Sequence, residues 1–112
     1  MTLELDVINA MNGEYARACE KHGKYNNSPH ESYAVILEEY EEAQEEAERF
    51  GLALGRFWGA VRSNSATGGI LEAMQELAEK AAAEWVQVAA MCLKASGAGM
   101  AGLPMTESEA IE

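Results

Sequence analysis

Glu38, Glu39, Glu41, Glu42, Glu45, Glu46 and Glu48 crowd into one short stretch of the chain. On a helix turning about 100° per residue, Glu38, Glu39, Glu42, Glu45 and Glu46 share one side. The apolar positions Tyr33, Leu37, Tyr40 and Ala47 fall on the other. Glu39 lies at the edge of the apolar stripe, which aims it toward a neighbouring helix rather than straight into water. A glutamate run is ordinarily a solvated acidic face. Here, however, like charges three and four residues apart repel by roughly 0.2–0.5 kcal/mol per pair, and only Arg49 and Arg56 precede Arg62 to relieve them. A hard divalent cation such as Mg²⁺ or Mn²⁺, which prefers oxygen ligands, would do so.

A second set of donors occurs later in the chain. Glu84 borders the apolar positions Ala81, Trp85 and Val88, and Gln87 follows one turn on along the same flank. A carboxylate in that position must be paired, coordinated or energetically costly. Lys80 is the alternative partner, in the less favourable order for an i, i+4 pair. Cys19 and Cys92 stand far apart, in no metal-ligand or redox spacing. Each falls within a helical stretch, as a free cysteine of a reducing compartment would.

These side chains need helices to hold them. The first is expected over residues 2–22, with Leu3, Val7, Ile8, Met11, Tyr15, Ala18 and His22 at helical spacing, and Gly23 as its stop. Ser28, Pro29 and Glu31 form a capping-box start for the second. Its seam steps by four and three through Tyr33, Leu37, Tyr40, Gln44, Ala47, Gly51, Leu54, Trp58 and Val61. The second helix runs to about Arg62, or breaks near Gly51, since interior glycines cost roughly 1 kcal/mol each relative to alanine. Residues 63–69 read as a loop. A third helix is expected over about 70–95, with Ile70, Met74, Leu77, Ala81, Trp85, Val88 and Cys92 on one stripe.

The expected architecture is therefore an all-α bundle of three main helices in one domain, residues 1–96, followed by a flexible acidic tail, 97–112. A helix of about 30 residues extends roughly 45 Å, longer than so small a domain is wide. The three helices cannot cover one another's stripes, so a homodimer or homotetramer with a four-helix-type core is expected.

The net charge of −11, with its 8 lysines and arginines scattered, argues against nucleic acid or an anionic membrane as partner. It leaves a small nucleotide open, because a divalent cation can bridge carboxylates to phosphates. No basic-then-apolar leader and no bilayer-length apolar run occur, so a cytoplasmic location is expected.

The stretch from Lys21 to Glu42, with its Ser28-Pro29-His30-Glu31 lead-in, resembles the phage and prophage branch of the MazG-like all-α nucleotide pyrophosphohydrolases. The segment Glu84-Trp85-Val86-Gln87-Val88-Ala89-Ala90-Met91 resembles that branch's third-helix motif. Glu38, Glu39 and Glu42 match the family's Glu-Glu-x-x-Glu motif. Glu84 matches the first position of its Glu-x-x-Asp motif, and Gln87 stands where the family has aspartate. The stretch 51–69 between the two motifs is longer than the compact family pattern.

The resemblance implies metal-dependent hydrolysis of a nucleoside triphosphate to the monophosphate and pyrophosphate. It implies Mg²⁺ or Mn²⁺ held by Glu39, Glu42, Glu84 and Gln87, with Glu38 holding a second metal or orienting water and sharing the catalytic role with Glu39. Lys21 and Lys24, in or near the loop before the second helix, are the expected phosphate contacts. The alternative is a catalytically degenerate helical module that binds nucleotide or a protein without turnover.

Overall fold

Helix caps mark out the elements. Thr2 is extended and its hydroxyl accepts the Leu5 N–H at 3.1 Å, opening α1 (Leu3–His22). Gly23 closes it at φ 87°, a left-handed value that favours glycine. Ser28 accepts the Glu31 N–H at 3.1 Å and Pro29 takes the first turn of α2 (Pro29–Arg62). Only the forward half of the expected capping box forms, because the Glu31 carboxylate accepts from the Asn27 side chain at 2.9 Å. After a short connection, α3 (Gly68–Ser96) begins at Thr67 without a side-chain cap and ends at Gly97 in the left-handed region. Gly68 and Gly69 thus belong to the helix rather than to the loop.

This is a computed structural model, and it describes residues 2–97. Among them there is no strand, and the fold is all-α with three main helices. Among the described residues, no helix is long and apolar enough to cross a membrane. The tail expected from 97 onward lies, beyond Gly97, outside the described residues.

α2 is one continuous helix of 34 residues, with no break at Gly51. A methyl group added at Gly51, Gly55 or Gly59 would meet nothing within 4 Å. These glycines therefore weaken helix propensity without serving a close contact in the single chain, and packing along α3 holds the helix straight through them.

α3 is the central element. It packs against both α1 and α2, whereas α1 and α2 do not pack on each other. The row of α2 laid against α3 is Ile36, Glu39, Ala43, Glu46, Phe50, Ala53, Phe57 and Ala60, all buried or half-buried. The seam expected from the sequence is a different row. Tyr33, Leu37, Tyr40, Leu54, Trp58 and Val61 are exposed, Trp58 to 59%. The core is consequently small: Ala43, Ala53, Ala60, Met74, Ala90 and Met91, with no large side chain fully enclosed. Tyr40 and Trp85 meet edge-on at 5.9 Å and tie α2 to α3 at its margin.

Ala43 and Ala90 have no exposed surface at all, so there is no room for a larger side chain. Ala43→Leu is expected to lower stability by about 1–3 kcal/mol, read as the urea midpoint multiplied by the slope. An unchanged midpoint would show that the contact between α2 and α3 is looser than described.

Candidate functional site

Glu39 and Glu42 are three residues apart on α2, and Glu84 comes from α3. One carboxylate oxygen from each lies within 4.8 Å of the other two. The local cause is the small row just described: Ala43 sits beside Glu39 and Glu42 and lets the two helices approach. An octahedral Mg²⁺ with ligands at about 2.1 Å spans about 4.2 Å between opposite oxygens. The three carboxylates are thus a side-chain adjustment away from a shared ion, and an all-oxygen anionic donor set fits a hard cation.

The electrostatics agree with the crowding. Burial raises the Glu39 pKa above the ordinary carboxylate range, and Glu42, Glu84 and Glu38 raise it further. Burial likewise raises Glu84, with Glu42 and then Glu46 adding repulsion. Glu46, one turn beyond Glu42, binds Arg49 at 2.7 Å through one oxygen. Its other oxygen is buried without a hydrogen-bond partner among the described residues.

Glu39 also faces a cleft of about 700 Å³ bounded by all three helices. α1 supplies Glu14, Arg17, Ala18, Lys21 and His22; α2 supplies Glu31, Val35, Glu38 and Glu39; Gln87, Met91 and Lys94 of α3 line it as well. Of the residues expected from the sequence, Glu39, Glu42 and Glu84 converge, and Glu38, Lys21 and Gln87 line the adjoining cleft. Lys24 is exposed and is not among the cleft residues. His30, Trp58 and Tyr33 are exposed outside the cleft.

Gln87 has a partner that the sequence did not reveal. Its amide nitrogen donates to Glu14 at 2.6 Å, and Glu14 is also paired with Arg17. The bonds from Arg17 and Gln87 lower the Glu14 pKa and keep it ionised. An ionised acceptor orients the amide group of Gln87 toward it, which leaves the Gln87 carbonyl oxygen as the uncommitted end.

Glu14, Arg17 and Lys94 are the cleft residues that sequence reasoning missed. Lys94 was legible, because it lies seven residues after Gln87 on the same face of α3. Glu14 stands next to Tyr15 of the first-helix stripe, but nothing in its spacing announced Gln87, 73 residues away.

Against known protein families, curated proteins and solved structures, the chain gives no match.

Glu39 and Glu84 bind protons more tightly folded than unfolded. Their crowding therefore penalises folding fully above their folded pKa values, and not at all below the unfolded value of about 4.3. In the absence of divalent metal, Glu39→Gln is expected to raise the urea midpoint at about pH 7.5, with the gain shrinking toward about pH 4. A variant less stable than the parent at the higher pH would refute the crowding.

Proposed function

We propose that this chain is a metal-dependent nucleoside triphosphate pyrophosphohydrolase of the MazG-like kind, from its phage and prophage branch. It converts a (d)NTP and water to the (d)NMP and pyrophosphate. The observation that carries this reading is the meeting of Glu39 and Glu42 with Glu84, from two helices, beside a cleft of about 700 Å³. That volume lies within the range of about 300–1,000 Å³ of small-molecule sites.

In this reading Glu39, Glu42 and Glu84 hold Mg²⁺ or Mn²⁺, and the free carbonyl oxygen of Gln87 adds a neutral ligand. The cation, when bound, neutralises phosphate charge and acidifies a coordinated water. Glu38 is exposed and lines the cleft, where its carboxylate orients water or helps hold a second ion. Lys21 contacts phosphate from α1, and Lys24 lies further out in the preceding loop. Water opens the anhydride between the α and β phosphates, and pyrophosphate departs. The ionised Glu14 beside Gln87 restores, one residue removed, some of the negative charge that the amide lacks.

The uncovered apolar surface supports a homodimer or homotetramer. Leu3, Val7 and Ile8 of α1, together with Leu54, Trp58 and Val61 of α2, are exposed in the single chain, apolar faces that a partner copy would cover. Two free cysteines and a nucleotide substrate suit the cytoplasm. A second reading, a degenerate module that binds without turnover, is favoured by one observation: the amide at position 87 is already engaged by Glu14.

Pyrophosphate release from a panel of nucleotides with Mg²⁺ or Mn²⁺ is the direct measurement. Glu39→Ala and Glu42→Ala are each expected to lower the rate at least about 100-fold, the scale on which loss of a charge-stabilising group is felt. Failure of the folded, metal-supplied protein to turn over any nucleotide would sink the enzyme reading. Turnover appearing only in Gln87→Asp combined with Glu14→Gln would establish the degenerate module instead. Sedimentation is expected to show dimers or tetramers, and Leu54→Glu with Trp58→Glu to dissociate them; a monomeric parent chain would refute the assembly.

A further inference from the structure

Gln87, Met91 and Lys94 are spaced by four and three residues, so they lie along one face of α3, and all three line the cleft between α1 and α2. Lys94 is only 7% exposed and is the one buried charged residue among those described. It enters no ion pair and no side-chain hydrogen bond there, although Glu38 and Glu39 line the same cleft. The stem covers apolar surface while the ammonium keeps some accessible surface of its own, and the cleft is the cavity that Lys94 lines.

The surroundings of that head are equally uneven. The α1 side of the cleft carries Arg17 and Lys21, together with Glu14, which pairs with Arg17. Arg17, Lys21 and Lys94 are drawn from only 8 lysines and arginines in a chain of net charge −11. The carboxylate cluster adjoins the other side through Glu39. Glu84 and Lys94 are ten residues apart, about 15 Å along the helix axis, so the carboxylate cluster and Lys94 stand at different heights along α3.

We propose that Lys94 is the oxyanion-holding group of this cleft, receiving a phosphate group of a polyphosphate ligand whose cation-bound end sits at Glu39, Glu42 and Glu84. An ammonium and a phosphate oxygen form a charge-assisted hydrogen bond, the interaction that would satisfy this unpaired donor. The placement of the cation-bound end rests on the reading of the carboxylates as a cation site; the role of Lys94 does not.

Calorimetric titration of the full chain with inorganic tripolyphosphate and Mg²⁺ tests both parts. Lys94→Met keeps the apolar stem and is expected to weaken binding roughly 10- to 100-fold, while Lys94→Arg keeps most of it. In the unaltered protein, the Lys94 side-chain resonance shifts on adding tripolyphosphate. Equal binding by Lys94→Met and the parent overturns the proposal, as does a silent Lys94 resonance or a parent that does not bind. Glu39→Gln separates the two ideas. If it abolishes binding while Lys94→Met does not, the cation site stands and the lysine falls; the reverse pattern keeps the lysine and removes the cation site.

Discussion

The close approach of α2 to α3 through small side chains governs everything else in this molecule. Ala43, Ala53 and Ala60 recur along the inner row of α2, and with no bulk beyond Cβ they let α3 come close at those points. Glutamates interleave with those alanines in the same row. Glu39 and Glu46 are consequently drawn partly out of water, against their solvation preference. Aliphatic residues of ordinary size at the alanine positions would hold the helices apart, and the oxygens of Glu39, Glu42 and Glu84 would no longer fall within 4.8 Å. The same smallness explains the thin core, since alanine buries little apolar area.

Much of this was legible in the sequence, for definite reasons. Ser28 and Pro29 announced the start of α2, and Gly23 and Gly97 the ends of α1 and α3, because caps and left-handed glycines depend on local chemistry alone. The carboxylate partners were legible too: Glu39 sits at the margin of a stripe, and Glu84 borders another. The rotational phase of α2 was not. The row of Tyr33, Leu37, Tyr40, Leu54, Trp58 and Val61 holds no charged residue, whereas Glu39 and Glu46 interrupt the row of Ile36, Ala43, Phe50, Ala53, Phe57 and Ala60, so periodicity favours the former. Within one chain, the contact with α3 uses the row that the glutamates interrupt and leaves the other exposed. Helix propensity also misjudged Gly51, because packing along α3 outweighs the local weakness.

The electrostatic pattern divides along the same lines. Where carboxylates face one another between α2 and α3, proton affinity rises. Where Glu14 meets Arg17 and Gln87 between α1 and α3, it falls. Two acidic sites about one helical turn of α3 apart thus have their proton affinities shifted in opposite directions by their neighbours. Long-range pairings of this kind, such as that of Glu14 with Gln87, carry no periodic signature, which is why they emerge only from the folded chain.

α1 and α2 each lean on α3 and do not lean on each other. The carboxylate cluster and the α1 wall of the cleft are therefore built on separate contacts with α3. Substitutions along α1 can reshape the cavity and change its polarity while the acidic trio opposite keeps its spacing, so the two features are free to diverge independently over a lineage.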